Sequence, residues 1–88
     1  MQDWRAMPNI TIKYFASIAD RMGKAEEIRE VPQGCTPACL LGTLGHERPE
    51  LKEALAACRV AVNLSFADDA QELAENDEVA LIPPVSGG

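Results

Sequence analysis

The chain has 88 residues, enough for one domain, because a chain of this size buries only about 60% of the surface its unfolded form exposes. So small a core leaves little room for a deep cleft of convergent polar groups, and function is expected at the surface or at a terminus. The net charge of −6 is unevenly placed: residues 1–59 hold eight acidic and eight basic side chains, whereas Asp68, Asp69, Glu72, Glu75, Asp77 and Glu78 follow with no Lys or Arg among them. Such an acidic field repels phosphate backbones, so neither nucleic acid nor an anionic membrane is expected as a partner, and a basic protein surface is favoured.

Residues 1–6 show no periodicity and read as a flexible extension, with Trp4 outside the fold. From Asn9 the run Ile10, Thr11, Ile12, Lys13, Tyr14 and Phe15 alternates and is rich in β-branched and aromatic residues, which predicts a strand. Ala16 to Met22 reads as a short helix stopped by Gly23. Ala25 to Val31 reads as a second strand, facing partly to solvent, that ends at Pro32.

Thr36 followed by Pro37 is a helix-start signal, since the hydroxyl can cap free amides and proline suits the first helical position. Leu40, Leu41 and Leu44 form its apolar stripe, and Gly42 and Gly45 keep it short. Pro49 opens another helical pattern, with Leu51, Ala54, Leu55 and Cys58 on one face, so either two helices or one kinked helix results. Val60, Val62, Leu64 and Phe66 alternate with Ala61, Asn63 and Ser65, as one strand or as a hairpin turning near Asn63. Asp68 to Asn76 is loop-like with Leu73 as its core contact, and Val79 to Ile82 is a final apolar strand cut off by Pro83 and Pro84. The order suits an α+β fold, a mixed sheet around one main helix.

No run approaches the roughly 20 apolar residues of a membrane span, and no basic segment leads into an apolar one, so a cytoplasmic chain is expected. Cys35, Cys39 and Cys58 are an odd number and are expected as reduced thiols. Their spacing, taken with His46, matches no common zinc pattern, and no metal site is expected.

The chemistry points to the C-terminus, Val85-Ser86-Gly87-Gly88. Two prolines end the ladder and direct the chain outward, and the four residues beyond Pro84 reach at most about 14 Å when extended. Gly87 and Gly88 carry no side chain, so the tail can pass a constriction and its terminal acyl carbon is open to attack from either face. A carboxylate reacts with a sulfur nucleophile only after its oxygen becomes a leaving group, which adenylation by ATP accomplishes.

The stretch Asp77-Glu78-Val79-Ala80-Leu81-Ile82-Pro83-Pro84-Val85-Ser86-Gly87-Gly88 resembles the ending of molybdopterin synthase small subunits. Ile12 to Ala16, Pro49 to Leu51 and the Val62-Asn63 pair are also similar to that family, over about Met7 to Gly88; Asn76 stands where the family commonly has glycine, and asparagine also tolerates positive φ.

The resemblance implies a ubiquitin-like β-grasp domain over residues 7–84, with 85–88 as an extended tail. It also implies that a ubiquitin-activating-type adenylating enzyme, consuming ATP, converts the Gly88 carboxylate to an acyl adenylate. A relay from a desulfurase or rhodanese then supplies sulfur for a thiocarboxylate. Gly87 keeps that group accessible, and Pro84, Val85 and Ser86 meet the partner. The sulfur passes to cyclic pyranopterin monophosphate on the large subunit of molybdopterin synthase, which carries the catalytic residues of a heterotetramer, while the small subunit holds no permanent cofactor. The alternatives are a sulfur carrier for thiazole synthesis in thiamine formation and a ubiquitin-like protein modifier.

Overall fold

The structure, a computed structural model, describes residues 7–68 and 70–84. The expected extension 1–6, with Trp4, and the expected tail 85–88 lie outside the described residues.

Strand β1 (Asn9–Tyr14) turns Ile10, Ile12 and Tyr14 inward and Thr11 and Lys13 outward, as its alternation requires. Helix α1 (Ala16–Met22) stops at Gly23, whose φ of 80° places it in the left-handed region, and the Gly23 amide donates to the Ala19 carbonyl at 3.0 Å. Strand β2 (Glu26–Glu30) pairs antiparallel with β1 and forms one edge of the sheet. Its Ile28 stands opposite Thr11 on the face away from the helices and is 74% exposed.

Helix α2 (Pro37–Glu47) begins as its cap signal predicts: Thr36 Oγ1 accepts from the Cys39 amide at 3.2 Å. Leu40 and Leu44 are buried against the sheet, and Leu44→Ala would cost about 2–5 kcal/mol by leaving a cavity. The choice left open after α2 resolves into two helices, because Arg48 precedes Pro49 and is pushed out of the helical region, to φ −128° and ψ 75°. A 3-10 turn (Pro49–Leu51) then leads into α3 (Lys52–Ala56).

The Val60 to Phe66 run is a hairpin, β3 (Arg59–Val62) and β4 (Ser65–Phe66). Its two turn residues, Asn63 at φ 52° and Leu64 at φ 73°, are both left-handed, the feature that lets a two-residue turn follow the strand twist. The turn also breaks the apparent alternation. Val62 opposes Ser65 and Ala61 opposes Phe66, so Phe66 shares the outer face with Ala61 while Val60 and Val62 point into the core. Leu64, at the tip, is 91% exposed and joins neither layer.

Leu73 is buried, its amide donating to the Cys35 carbonyl at 2.8 Å. Asn76, at φ 70°, adopts the positive φ that asparagine tolerates. Strand β5 (Glu78–Ile82) starts one residue earlier than its apolar run and lies in the middle of the sheet. The order is β2-β1-β5-β3-β4, with β5 parallel to β1 and antiparallel to β3. This mixed five-stranded sheet, with its helices packed on one face, is the expected α+β β-grasp arrangement.

At the β2 edge the inward positions are polar and matched. Arg29 donates to both carboxylate oxygens of Glu47 at 2.8 Å, tying α2 to the sheet, and the Tyr14 hydroxyl donates to Glu27. Burial and the Glu27 carboxylate raise the Tyr14 pKa well above its ordinary value. Burial alone would raise Glu27, but its hydrogen bonds from Tyr14 and Lys24 outweigh this and hold it below the usual carboxylate range.

Candidate functional site

The final strand is the conduit to the tail. β5 runs between β1 and β3, so its end is fixed on both sides: Leu81 lies beside Tyr14, and Ile82 beside Arg59. Pro83 is half-buried and Pro84 exposed, where the strand leaves the sheet. Of the residues singled out in the tail, Pro84 therefore stands at the rim of the domain, and Val85, Ser86, Gly87 and Gly88 lie outside the described residues.

The outer sheet face beside this exit is apolar. Phe15 is 45% exposed and Phe66 61%, and with Leu64, Ala61, Ala80 and Ile82 they line a shallow cavity of about 230 Å³ bordered by Glu78. Large apolar side chains grouped in the open mark a contact surface rather than chance exposure. Leu64 holds a left-handed backbone that favours Gly or Asn and still presents its side chain to solvent. The rim is charged: Lys13 Nζ lies 3.3 Å from Glu78 Oε2, and the Arg59 guanidinium lies over the Phe66 ring at 4.0 Å.

Sequence reasoning missed this patch, because Phe66 read as a member of the inward series. The available signal was the parity of the strands: a two-residue turn at Asn63 and Leu64 reverses the facing of Ser65 and Phe66, and Phe15 falls on the outer parity of β1.

The acidic segment is less free than its composition suggests. Asp77 accepts from Asn63 Nδ2 at 2.9 Å and from the Ala74 amide at 2.8 Å, Glu75 accepts from the Asn9 amide at 2.8 Å, and Asp68 accepts from the Ala70 amide at 2.9 Å. These carboxylates shape the loop before β5, which leaves Glu72 as an exposed acid without such a contact among the described residues.

Cys35 and Cys58 are buried and Cys39 is exposed, all three as free thiols. Burial, with the Cys39 thiol beside it, pushes Cys35 up to about 12, and burial raises Cys58. Both thiols sit in the core cluster, where cysteine packs as a small hydrophobe. His46 is exposed on α2. A groove of about 430 Å³ between α2 and α3 holds Lys52 and Cys58 among small residues, with no carboxylate or imidazole in its lining.

The order β2-β1-β5-β3-β4, with the helices on one face of the sheet, defines a ubiquitin-like domain. Its overall shape matches the ubiquitin of Caldiarchaeum subterraneum at TM-score 0.61 and 17% identity, covering 92% of this chain and 98% of that one. The ThiS family matches residues 12–88. The molybdopterin synthase sulfur carrier subunit of Phaeosphaeria nodorum is 40% identical, over 91% of each chain. That of Chlamydomonas reinhardtii is 33% identical over 90% of this chain and 98% of its own.

Among solved structures, the putative molybdopterin converting factor subunit 1 of Pyrococcus furiosus superposes at TM-score 0.78 with 28% identity, covering 89% of this chain and 99% of that one. A chain from the complex of subunits 1 and 2 of the Helicobacter pylori molybdopterin-converting factor superposes at 0.65 with 25% identity, covering 91% and 99%. The chain belongs to the ThiS family and, within it, to the molybdopterin synthase sulfur carrier subunits.

Among the described residues no helix is long and apolar enough to cross a membrane.

Proposed function

We propose that Gly88 is the sulfur-carrying group of this subunit in molybdenum cofactor biosynthesis, and that the apolar sheet face is the surface on which its partners dock. The observation that carries the reading is the placement of β5: the strand that leads to the Gly-Gly ending leaves the sheet beside exposed Phe15 and Phe66. A partner seated on that face receives the tail directly into its active site.

The chemistry starts from the carboxylate. A Gly88 oxygen attacks the α-phosphorus of ATP on an adenylating enzyme of the ubiquitin-activating type, releasing pyrophosphate and forming the acyl adenylate. A sulfur nucleophile, hydrosulfide in the simplest case, adds at the acyl carbon and expels AMP, leaving the thiocarboxylate. In the cell a desulfurase or rhodanese relay supplies that sulfur as an enzyme persulfide, whose attack gives an acyl disulfide that a thiol then cleaves, ending itself as a disulfide and releasing the thiocarboxylate. The tail then enters the large subunit of molybdopterin synthase and gives its sulfur to cyclic pyranopterin monophosphate, two such transfers completing the dithiolene. Gly87 keeps the path narrow, and Pro84, Val85 and Ser86 line up against the partner's channel.

The carrier needs no resident cofactor, since ATP is consumed on the activating enzyme, and the compartment is the cytoplasm. Curated relatives at 40% and 33% identity are molybdopterin synthase subunits, which favours this role over thiazole formation.

The test is intact mass after incubation with ATP, the adenylating enzyme and sulfide, followed by addition of the large subunit and the pterin precursor. Exchange of one oxygen for sulfur at the C-terminus, lost again on pterin conversion, is expected. A mass that never changes overturns the reading.

A further inference from the structure

Arg59 is the first residue of β3, and its partner across the sheet is Ile82, the last residue of β5 before Pro83. It therefore stands at the root of the tail. Four of the other cations among the described residues are matched to carboxylates: Lys13 to Glu78, Lys24 to Glu27, Arg29 to Glu47 and Arg48 to Glu50. Arg59 has no carboxylate partner among the described residues, in a chain whose net charge is −6. What it has is the Phe66 ring, 4.0 Å from its guanidinium carbon. Stacking on an aromatic face restrains a long side chain while leaving the N–H edge of the guanidinium free to donate.

The rest of the patch gives that free edge a direction. Along β5 the acidic residues Asp77 and Glu78 stand at the start and Arg59 stands beside Ile82 at the end, with Ala80 and the apolar cavity between. Four residue steps along the strand separate Glu78 from Ile82, about 13 Å. The docking face thus carries the Lys13–Glu78 ion pair at one end, is apolar in the middle, and has the Arg59 charge, unmatched by a carboxylate among the described residues, where β5 ends. A partner carboxylate set to meet Arg59 would, with the partner turned end for end, face Glu78 instead, at a cost that selects one orientation.

We infer that Arg59, held on Phe66, binds a carboxylate of the partner protein and so fixes the direction in which the tail enters the partner's channel. This rests on the proposed docking of partners at the apolar sheet face. The group bound is a protein carboxylate rather than a nucleotide phosphate, because the phosphates react at Gly88, up to about 14 Å beyond Pro84 when the tail is drawn out, whereas Arg59 stays at its root. A planar guanidinium with a free edge suits a two-pronged carboxylate contact at an apolar interface, where arginine is a common anchor.

The sign of one effect tests this. Were the partner surface simply basic, removing a positive charge from this acidic chain would tighten binding. A carboxylate opposite Arg59 predicts the reverse. Arg59→Met keeps the apolar stem, Arg59→Lys keeps the charge without the fork, and Arg59→Glu reverses it. With the large subunit encoded in the same genome as the probe, titration calorimetry should give affinity losses of about 10-fold for R59M, less for R59K, and about 100-fold or more for R59E. Unfolding midpoints should stay unchanged, since Arg59 is exposed. Equal or tighter binding by R59M and R59E overturns the inference while leaving the carrier reading in place. Failure of the unaltered chain to bind the large subunit overturns the docking reading itself.

Discussion

Asn63, at the tip of the β3–β4 hairpin, is bound to the start of β5: its Nδ2 donates to Asp77 Oδ1 at 2.9 Å, its Oδ1 accepts from the Glu78 amide at 2.9 Å, and its own amide donates to the Glu78 carbonyl at 2.8 Å. The side chain that turns the hairpin also fixes where the tail-bearing strand begins. Asn63→Ala loses two side-chain hydrogen bonds and puts alanine at φ 52°, so a loss of about 2 kcal/mol is expected. Asn63→Gly relieves the φ cost but not the hydrogen bonds and should fall between. Urea unfolding of the three proteins gives the order, and an alanine variant as stable as the parent would show that the bonds carry no net stability.

The tail should be indispensable for chemistry and irrelevant to folding. Deleting Gly88 withdraws the carboxylate by roughly 3.5 Å, about the whole distance at which reacting atoms must meet. Sulfur loading and pterin conversion should vanish with the thermal midpoint unchanged, and a residue added after Gly88 should act alike. Replacing Cys39 with serine should leave loading intact. Normal product from the Gly88 deletion would remove the carrier chemistry from the C-terminus.

The apolar face should bind partners without supporting the core. Phe66→Asp places a charge on a residue 61% exposed, so the monomer should remain folded while large-subunit affinity falls by about 10-fold or more. Calorimetric titration beside circular dichroism separates the two effects. An unaltered affinity would move the docking surface elsewhere.

Electrostatic steering should rest on Glu72 more than on its acidic neighbours, because Asp68, Glu75 and Asp77 also hold the loop together. Glu72→Gln should slow association, most visibly at low salt, with little change in dissociation or stability. Asp77→Asn, by contrast, should lower stability as well. Stopped-flow association at two ionic strengths checks both.

Stability should respond to pH at both ends through one pair. Glu27 is held below its unfolded value, so its contribution is present above the ordinary carboxylate range and is lost as pH falls through the folded value. Tyr14 is raised above its unfolded value near 10, so its contribution is full below that pH and declines as pH rises beyond it. Glu27→Gln should flatten the acid limb of a midpoint-against-pH curve, and Tyr14→Phe the alkaline limb. A Tyr14→Phe curve parallel to the parent above pH 10 would contradict the assignment.

What the sequence determined by itself was the set of local elements. The alternation of Ile10 to Tyr14, the Thr36-Pro37 cap, the stop at Gly23 and the Pro83-Pro84 break are each written within a few residues, because hydrogen bonding, φ restriction and facing are local properties. The Gly-Gly ending is likewise legible without a fold. Only the tertiary structure decided that β5 enters between β1 and β3, that Asn63 and Leu64 turn a hairpin, and that Phe15, Phe66 and Ile82 meet on one face beside Arg59. These residues are far apart in sequence, and their meeting depends on strand order and on the parity set by a two-residue turn, which a one-residue slip would invert.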